Sequence, residues 1–227
     1  MLFQSSFVGS NKLGYTTHIM DYSQYKQIDF RRKFFKLLGA EISLTATDSQ
    51  APIGVIKMKA WKLREDIRLY AADGAQEVVR IAARQIIDFG ATYDVFDSTS
   101  NQQLFSFKRK GLRSTFVRDY WKILDTDGNE IGSIQETSSV LALARRWLEI
   151  VPFGDLVGLI FSFIAQTYTI SLSSADGQNV IGTIVHQKNP VIVKMHLDTS
   201  VDTTSANPLI AIAAVSLLSV VDASKNS

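Results

Sequence analysis

Apolar and polar residues alternate with a period of two along most of the chain, in paired stretches joined by short polar turns. The clearest pair runs from Tyr120 to Asp125, through the turn Thr126-Asp127-Gly128-Asn129, and from Glu130 to Gln135. Asp-Gly between alternating stretches predicts a β-hairpin, because Gly tolerates the positive φ that the turn demands. The period of two gives each predicted strand one apolar and one polar face.

The same hairpin returns along the chain. Tyr168 to Ile184 repeats it around Asp176-Gly177 and keeps the ending Ile-Gly-x-Ile. Looser copies follow the same plan, and further single strands are predicted near both ends of the chain. The copies are Glu41 to Lys59, Asp66 to Ile81 and Tyr93 to Lys108; the single strands are Phe3 to Val8, Leu13 to Ile19 and Pro190 to Leu197. Roughly a dozen antiparallel strands must either close on themselves or split into two packed sheets.

The end of the chain favours closure. Asn207 is suited to cap a helix, Pro208 to occupy its first turn, and residues 209–221 are apolar on all sides. A helix without a polar stripe must be buried on every side. At about 20 Å it is short for a bilayer but fits the interior of a barrel. We therefore predict a mainly β fold, a single domain over residues 1–227: a closed antiparallel barrel of about twelve strands around a buried C-terminal helix at 207–222.

Residues 138–165 break the hairpin pattern and predict a helical insertion. Val140 to Leu148 reads as an amphipathic helix, and the strongly apolar stretch that follows is interrupted by Pro152 and Asp155. Three interpretations remain open: a helical pair covering one end of the barrel, a hairpin dipping into a membrane, or a surface for self-association. The candidate membrane or partner contacts are Trp147, Phe153, Leu156, Phe161 and Phe163.

The amino-acid composition restricts the classes of function that the chain could have. The 24 Lys and Arg against 22 Asp and Glu leave a net charge of +2, so any basic function must be local and nucleic acid is not an expected partner. The absence of cysteine excludes disulfides, thiol catalysis, palmitoylation and sulfur-ligated metals. No secretory signal is recognisable at the start, so the expected location is cytoplasmic.

Two basic clusters are candidate lipid-binding sites. The first comprises Lys108, Arg109, Lys110, Arg113 and Arg118, set among aromatic residues. Cations beside aromatic rings suit a phospholipid headgroup surface, although cations on alternate strand positions also simply face water. The second comprises Arg31, Arg32 and Lys33, with Lys36, interleaved with phenylalanines. On a helix it would be amphipathic, either a membrane-surface segment or a short helix docked on the barrel through its Phe residues.

Catalytic chemistry has little support in the sequence. His18, His186 and His196 are scattered over predicted strands without the spacing of a zinc site. A nucleophile elbow, a phosphate-binding glycine loop and a dinucleotide fingerprint are all lacking. We expect no catalytic residue, no metal and no cofactor.

The repeated hairpins with Asp-Gly turns and Ile-Gly-x-Ile endings, followed by an Ala- and Leu-rich helix, resemble the phospholipid scramblase-like and LURP-one-related proteins of the tubby C-terminal-like superfamily. The resemblance implies a closed barrel of about twelve strands threaded by the C-terminal helix. It also implies work at lipid surfaces, since tubby-like proteins bind phosphoinositides and scramblases act on bilayers. The cysteine-rich palmitoylated stretch and Pro-rich arm of scramblases are absent here, where Cys is missing and only four Pro occur.

The sequence thus supports a non-enzymatic barrel, peripheral to the membrane, that binds anionic phospholipid headgroups or a membrane-associated protein. The alternative is a structural or protein-interaction module without lipid affinity that uses residues 138–165. Scrambling itself is the weakest hypothesis, because it needs a path within the membrane that this sequence does not provide. The oligomeric state is left open.

Overall fold

A computed structural model describes residues 22–35, 39–58, 66–84, 90–110, 119–137, 165–187, 194–202 and 208–223. These residues form twelve β-strands and one α-helix. The strands are β1 (Gln27–Phe35), β2 (Gly39–Ala46), β3 (Pro52–Met58), β4 (Asp66–Tyr70), β5 (Glu77–Ala83), β6 (Thr92–Asp97), β7 (Gln103–Arg109), β8 (Tyr120–Leu124), β9 (Glu130–Glu136), β10 (Gln166–Ser174), β11 (Gly177–Gln187) and β12 (Lys194–Asp198), and the helix is α1 (Pro208–Ala223).

The twelve strands form one closed antiparallel barrel in which each strand pairs with its neighbours along the chain. The barrel closes between the first and last strands, where Gln27 lies opposite Asp198 and Arg31 opposite Lys194. Closure removes the sheet edges that would otherwise offer free backbone groups to another chain. The predicted closed barrel is confirmed, and all five predicted hairpins are observed, as β2–β3, β4–β5, β6–β7, β8–β9 and β10–β11.

The two ends of the barrel differ. At one, here called the turn end, tight turns within residues 47–51, 71–76, 98–102, 125–129 and 175–176 join the hairpin strands, and the chain leaves β12 through residues 199–202. At the other, here called the connection end, strands finish where the chain passes into segments outside the described residues. The insertion predicted at 138–165 lies outside them up to residue 164, as do the strands predicted at 3–8 and 13–19.

The helix α1 fills the barrel. Every side chain from Leu209 to Val221 is buried, in one apolar cluster with the inward side chains of the strands. Two serines interrupt the apolar surface, and both are satisfied within the helix: the Ser216 hydroxyl donates to the Ile212 carbonyl and the Ser219 hydroxyl to the Ser216 carbonyl, each at 2.7 Å. Such bonding back to the helix hides a hydroxyl that a barrel interior could not solvate.

The first strand corrects a prediction. Residues 31–36 were expected to form a helix, but β1 extends through Phe35. Ile28, Phe30 and Arg32 alternate with the exposed or half-buried Asp29 and Arg31, which is the burial pattern of a strand. Arg32 lies at an inward position, so the alternation of apolar and polar residues is not visible in the sequence of β1. The residues form a strand because they pair with β2 and β12, despite a spacing that would also suit a helix.

The Ile-Gly-x-Ile endings of two hairpins place glycines in different surroundings. At Gly132 a β-carbon would overlap the carbonyl oxygen of Ser171 and lie 2.8 Å from Leu172 Cδ2. At Gly182, the equivalent position in the β10–β11 hairpin, the nearest atom would be 3.4 Å away. Gly132 lies opposite Leu172 in the continuous pairing of β9 with β10, so the close approach comes from the backbone of β10.

Gly132→Ala should therefore be strongly destabilising, while Gly182→Ala should be tolerated. Forcing a carbon into a packed site costs about 1–3 kcal/mol, and the backbone contact puts Gly132 at the upper limit. Urea unfolding of the two variants measures the difference. Equal losses of unfolding free energy would show that the glycine is required by the repeated motif in general, not by the approach of β10.

A second prediction concerns Tyr22, which is buried before β1 and whose hydroxyl makes no hydrogen bond with the described residues. Burial, aided by nearby Tyr25, raises the pKa of Tyr22 to about 12. Tyr22→Phe should raise the free energy of unfolding by about 1 kcal/mol, because an unsatisfied buried hydroxyl is removed.

The pKa shift of Tyr22 also gives a pH dependence. The folded state holds the proton more tightly than the unfolded state, so the contribution of Tyr22 is complete below pH 10 and is lost as the pH rises towards 12. The advantage of Tyr22→Phe over the wild type should therefore grow over this interval in chemical unfolding. An advantage that stays constant with pH would contradict the assignment.

Candidate functional site

The basic run at 108–110 is divided between the two faces of the barrel wall. Lys108 and Lys110 are exposed, while Phe105 and Phe107, at alternate positions, are buried in the core. Arg109 shares the inward face with Phe107. The alternation allowed for in the sequence is thus observed, and the three consecutive cations do not form one surface.

Arg109 makes a nearly buried ion pair inside the barrel wall. Its Nη2 donates to Asp119 Oδ1 at 2.8 Å, and the two side chains are only 14% and 8% exposed. The guanidinium also lies 5.4 Å from the ring centre of Trp121, its partner across β7 and β8. A planar cation on an aromatic face with a carboxylate partner is a stable way to hold charge in an apolar interior.

Further polar side chains line the inside of the connection end. Gln166 donates to Glu136 Oε1 at 3.3 Å, and the backbone N–H of Asp119 donates to Glu136 Oε2 at 3.5 Å. His186 is also buried, and so is Arg32, whose pKa burial lowers to about 10. Sequence reasoning missed this arrangement, because its members lie far apart in the chain and meet only in the closed barrel.

Metal binding finds no support in the described part of the chain, which contains no group of three or more His, Asp or Glu able to hold an ion. His186 lies inside the barrel, whereas His196 lies on the outer surface with Nδ1 2.8 Å from Asp29 Oδ1. His18 lies outside the described residues. The two described histidines therefore do not share one site.

The outer surface carries a first basic patch, here called the lysine patch, formed by Lys108 and Lys110. The ammonium of Lys110 lies 5.6 Å from the ring centre of Tyr120, which is half-buried on the same face. Lys122 lies opposite Lys108 in the neighbouring strand but is bound to Glu130. That contact raises the pKa of Lys122 and lowers the pKa of Glu130, so their charges compensate one another.

A second outer patch, here called the arginine–lysine patch, is formed by Arg31 and Lys194. Arg31 is exposed and Lys194 half-buried, and the two lie opposite each other where β1 pairs with β12. The predicted cluster is thus divided as well, since Arg32 points inward. The described structure does not extend to the Lys33 side chain, Lys36, Arg113 or Arg118, nor to the contacts predicted at Trp147, Phe153, Leu156, Phe161 and Phe163.

Most other arginines of the outer surface are neutralised. Arg68 and Arg80 both contact Asp66, at 2.9 and 3.2 Å, and Arg84 contacts Asp94 at 2.6 Å. By contrast, the lysine patch and the arginine–lysine patch make no ion pair with any carboxylate of the described chain. These four cations therefore carry charge that no carboxylate of the described residues pairs with, as do Lys26 and Lys57 elsewhere on the barrel.

Comparison with known protein families identifies the family to which the chain belongs. The family profile described as LURP-one-related matches residues 53–217, which span β3 to the middle of α1. The chain therefore belongs to the LURP-one-related family, as its sequence pattern predicted. Neither a curated protein nor a solved structure matches the chain significantly. Within the described residues no helix is both long and apolar enough to cross a bilayer.

The buried ion pair can be tested with neighbouring cations of β7. Arg109→Met leaves Asp119 buried without its guanidinium and should cost about 3–5 kcal/mol, while Lys108→Met, on the exposed face, should change stability by no more than about 0.5 kcal/mol. Adding Asp119→Leu to Arg109→Met should recover part of the loss. Urea unfolding of the three variants is the measurement, and equal, small effects of both single variants would contradict the pairing.

Proposed function

We propose that this LURP-one-related barrel is a non-enzymatic, peripheral binder of anionic phospholipid headgroups, and that the lysine patch is its principal contact. The observation that carries the proposal is the exposure of Lys108 and Lys110 without an ion pair to any carboxylate of the described residues, on a surface where neighbouring cations are neutralised. Glu130, whose pKa Lys110 helps to lower, is bound to Lys122. Free cations on a rigid strand keep their attraction for phosphate, whereas a paired cation has already satisfied it.

The aromatic neighbour supports the same proposal. Tyr120 lies beside Lys110 with an apolar ring and a polar hydroxyl, the combination found at the interface between headgroups and acyl chains. Its hydroxyl also lies 3.2 Å from Glu130 Oε1, so the ring is held in place next to the lysines. The barrel would present cation and ring together without any rearrangement of its backbone.

The filled, nonpolar interior of the barrel determines which part of a lipid the protein could recognise. Because the side chains of α1 from Leu209 to Val221 are buried against the strands, we place recognition at the outer surface of the barrel, where it rests on headgroup charge. Such binding should depend on charge and on salt, with each basic residue near the surface contributing about 1 kcal/mol.

Co-sedimentation with vesicles tests this function. Lys108→Gln/Lys110→Gln should reduce partitioning onto phosphatidylcholine vesicles containing anionic phosphatidylserine by roughly thirtyfold, from two contributions of about 1 kcal/mol each. Moderate salt should weaken wild-type binding in the same direction. Arg109 is left unchanged in this variant, because its replacement would disturb the barrel wall.

Lys26→Gln provides the matched control, since Lys26 is an exposed cation at the other end of the barrel. It should bind as the wild type does, and circular dichroism should show that every variant is folded. Failure of the wild-type protein to bind anionic vesicles would refute the proposal and favour a protein-interaction module that uses residues 138–165. Binding to neutral and anionic vesicles alike would refute a charge-based mechanism.

A further inference from the structure

The β10–β11 hairpin extends beyond the strand that follows it in the barrel. The whole of β11 except its last residue, Gln187, lies along β10. The pairing of β11 with β12 covers only the second half of β11, Thr183–Gln187. Residues 177–181, here called the free edge, therefore have β10 on one side and no strand of the described chain on the other.

The chain that follows β12 turns away from the free edge. The N–H of Thr199 donates to the Lys26 carbonyl at 2.8 Å, and the Thr199 hydroxyl donates to the same oxygen at 3.1 Å. Lys26 precedes β1, which lies on the side of β12 remote from β11. The N–H of Asp202 then donates to the Thr199 carbonyl at 3.0 Å and closes a turn. Beyond β12, the described chain thus continues the pairing towards β1 and leaves β11 uncovered.

The free edge offers backbone donors and acceptors to a partner. In an antiparallel strand, alternate residues direct their N–H and C=O groups to opposite neighbours, so about half of these groups in residues 177–181 point away from β10. Apart from the pairing with β10, they make no hydrogen bond with the described chain. Gly177 to Val180 are all exposed. Such an edge is a template to which an extended peptide can add as a further strand.

Two exposed valines accompany the free edge. Val180 belongs to it, and Val201 belongs to the turn after β12. They are 42% and 54% exposed, and they are the two large hydrophobic side chains of the described residues that are exposed. That turn begins beside the free edge, since a β-carbon on Gly182 would lie 3.4 Å from Thr199 Cγ2. An added strand would therefore find apolar side chains to pack against, as well as backbone groups.

The charged side chains around the free edge are mostly acidic. The β10–β11 hairpin contains neither Lys nor Arg, and Asp176 is exposed at its turn. Asp198 and Asp202 border the turn after β12. Of the lysines at the turn end, Lys26 lies on the far side of β12, and Lys57 belongs to β3, four strands from β11. This charge favours a basic partner and opposes pairing with a second copy of the same edge, which would bring its own aspartates.

We infer that the free edge binds an extended, Lys- or Arg-containing segment of a partner protein as an additional strand. The backbone of the segment bonds to the outward groups of residues 177–181, an apolar side chain contacts Val180, and its cations lie near Asp176 and Asp202. This site is formed by the turn end of the barrel, so it goes beyond lipid binding and does not depend on the lysine patch.

NMR titration of the full chain with synthetic peptides tests the inference. The probe is a capped heptapeptide of alternating lysine and valine, which as a strand presents its cations on one face and its apolar side chains on the other. One matched peptide carries glutamate in place of lysine. Another is N-methylated at two adjacent central residues, which blocks both of its edges.

The backbone amide signals of residues 177–181 should shift on addition of the lysine peptide, while those of residues 183–187, which β12 covers, should not. At saturation, the outward amides of the free edge should exchange with solvent at least about tenfold more slowly. The glutamate peptide should bind at least about tenfold more weakly, and the N-methylated peptide should not bind.

Matched valine variants locate the contact. Val180→Thr should weaken the lysine peptide by roughly fivefold, because an apolar contact is lost while the β-branched shape is kept. Val185→Thr is the control, since Val185 lies in the same strand where β12 covers it. That variant should bind the peptide as the wild type does, and circular dichroism should show that both variants are folded.

The outcomes that would overturn the inference are distinct. Unchanged signals at residues 177–181 with the lysine peptide at millimolar concentration would refute it, and so would equal binding of the N-methylated peptide, because backbone pairing would then not hold the strand. Equal binding of the glutamate peptide would refute a basic partner. Signals of residues 177–181 that depend on the concentration of the protein alone would show pairing with a second copy instead. Because lipid is absent from these measurements, each of these results leaves the proposed lipid binding standing.

Discussion

The structure depends on the burial of a helix that has no polar face. Residues 209–221 expose nothing that water could solvate, so α1 gains its stability only where protein surrounds it. Twelve strands closed around it supply that enclosure and at the same time lose the free edges of an open sheet. The small side chains of the helix, with Ser216 and Ser219 bonded back to their own backbone, let it fit the interior at high density.

Because the barrel is closed and its core is filled by α1, we place its function at the outer surface and the ends of the barrel. There the repeated hairpin has a second consequence, because the turn chemistry that favours aspartate gathers negative charge at one end. Lys108 and Lys110 lie towards the other end, whereas Arg31 lies in the middle of β1. The aspartates that stabilise the turns thereby concentrate carboxylates at the turn end, which a repeat with neutral turns would not do.

The two basic clusters show what cannot be predicted about a protein surface from neighbouring residues in the sequence. Consecutive cations suggest a single basic surface, yet the pleat of a strand sends neighbours to opposite faces, so Arg109 pairs with Asp119 inside while Lys108 and Lys110 lie outside. Arg32 at an inward position also concealed the alternation of β1 and favoured the mistaken helix. In both cases the misleading residue is a cation buried in the barrel wall, which composition alone does not anticipate.

The sequence by itself determined the hairpins, their turns, the apolar helix, closure and the LURP-one-related family, because each depends on short-range patterns: the period of two, Asp-Gly turns, and an apolar surface on every side of one helix. Only the tertiary structure decided which cations are free. The partners of Arg109, Arg68 and Arg84 come from neighbouring strands, and the polar set of Arg32, Glu136, Gln166 and His186 comes from four strands. Pairing of charges depends on distances across the sheet, and those distances exist only once the register and the closure of the barrel have been established.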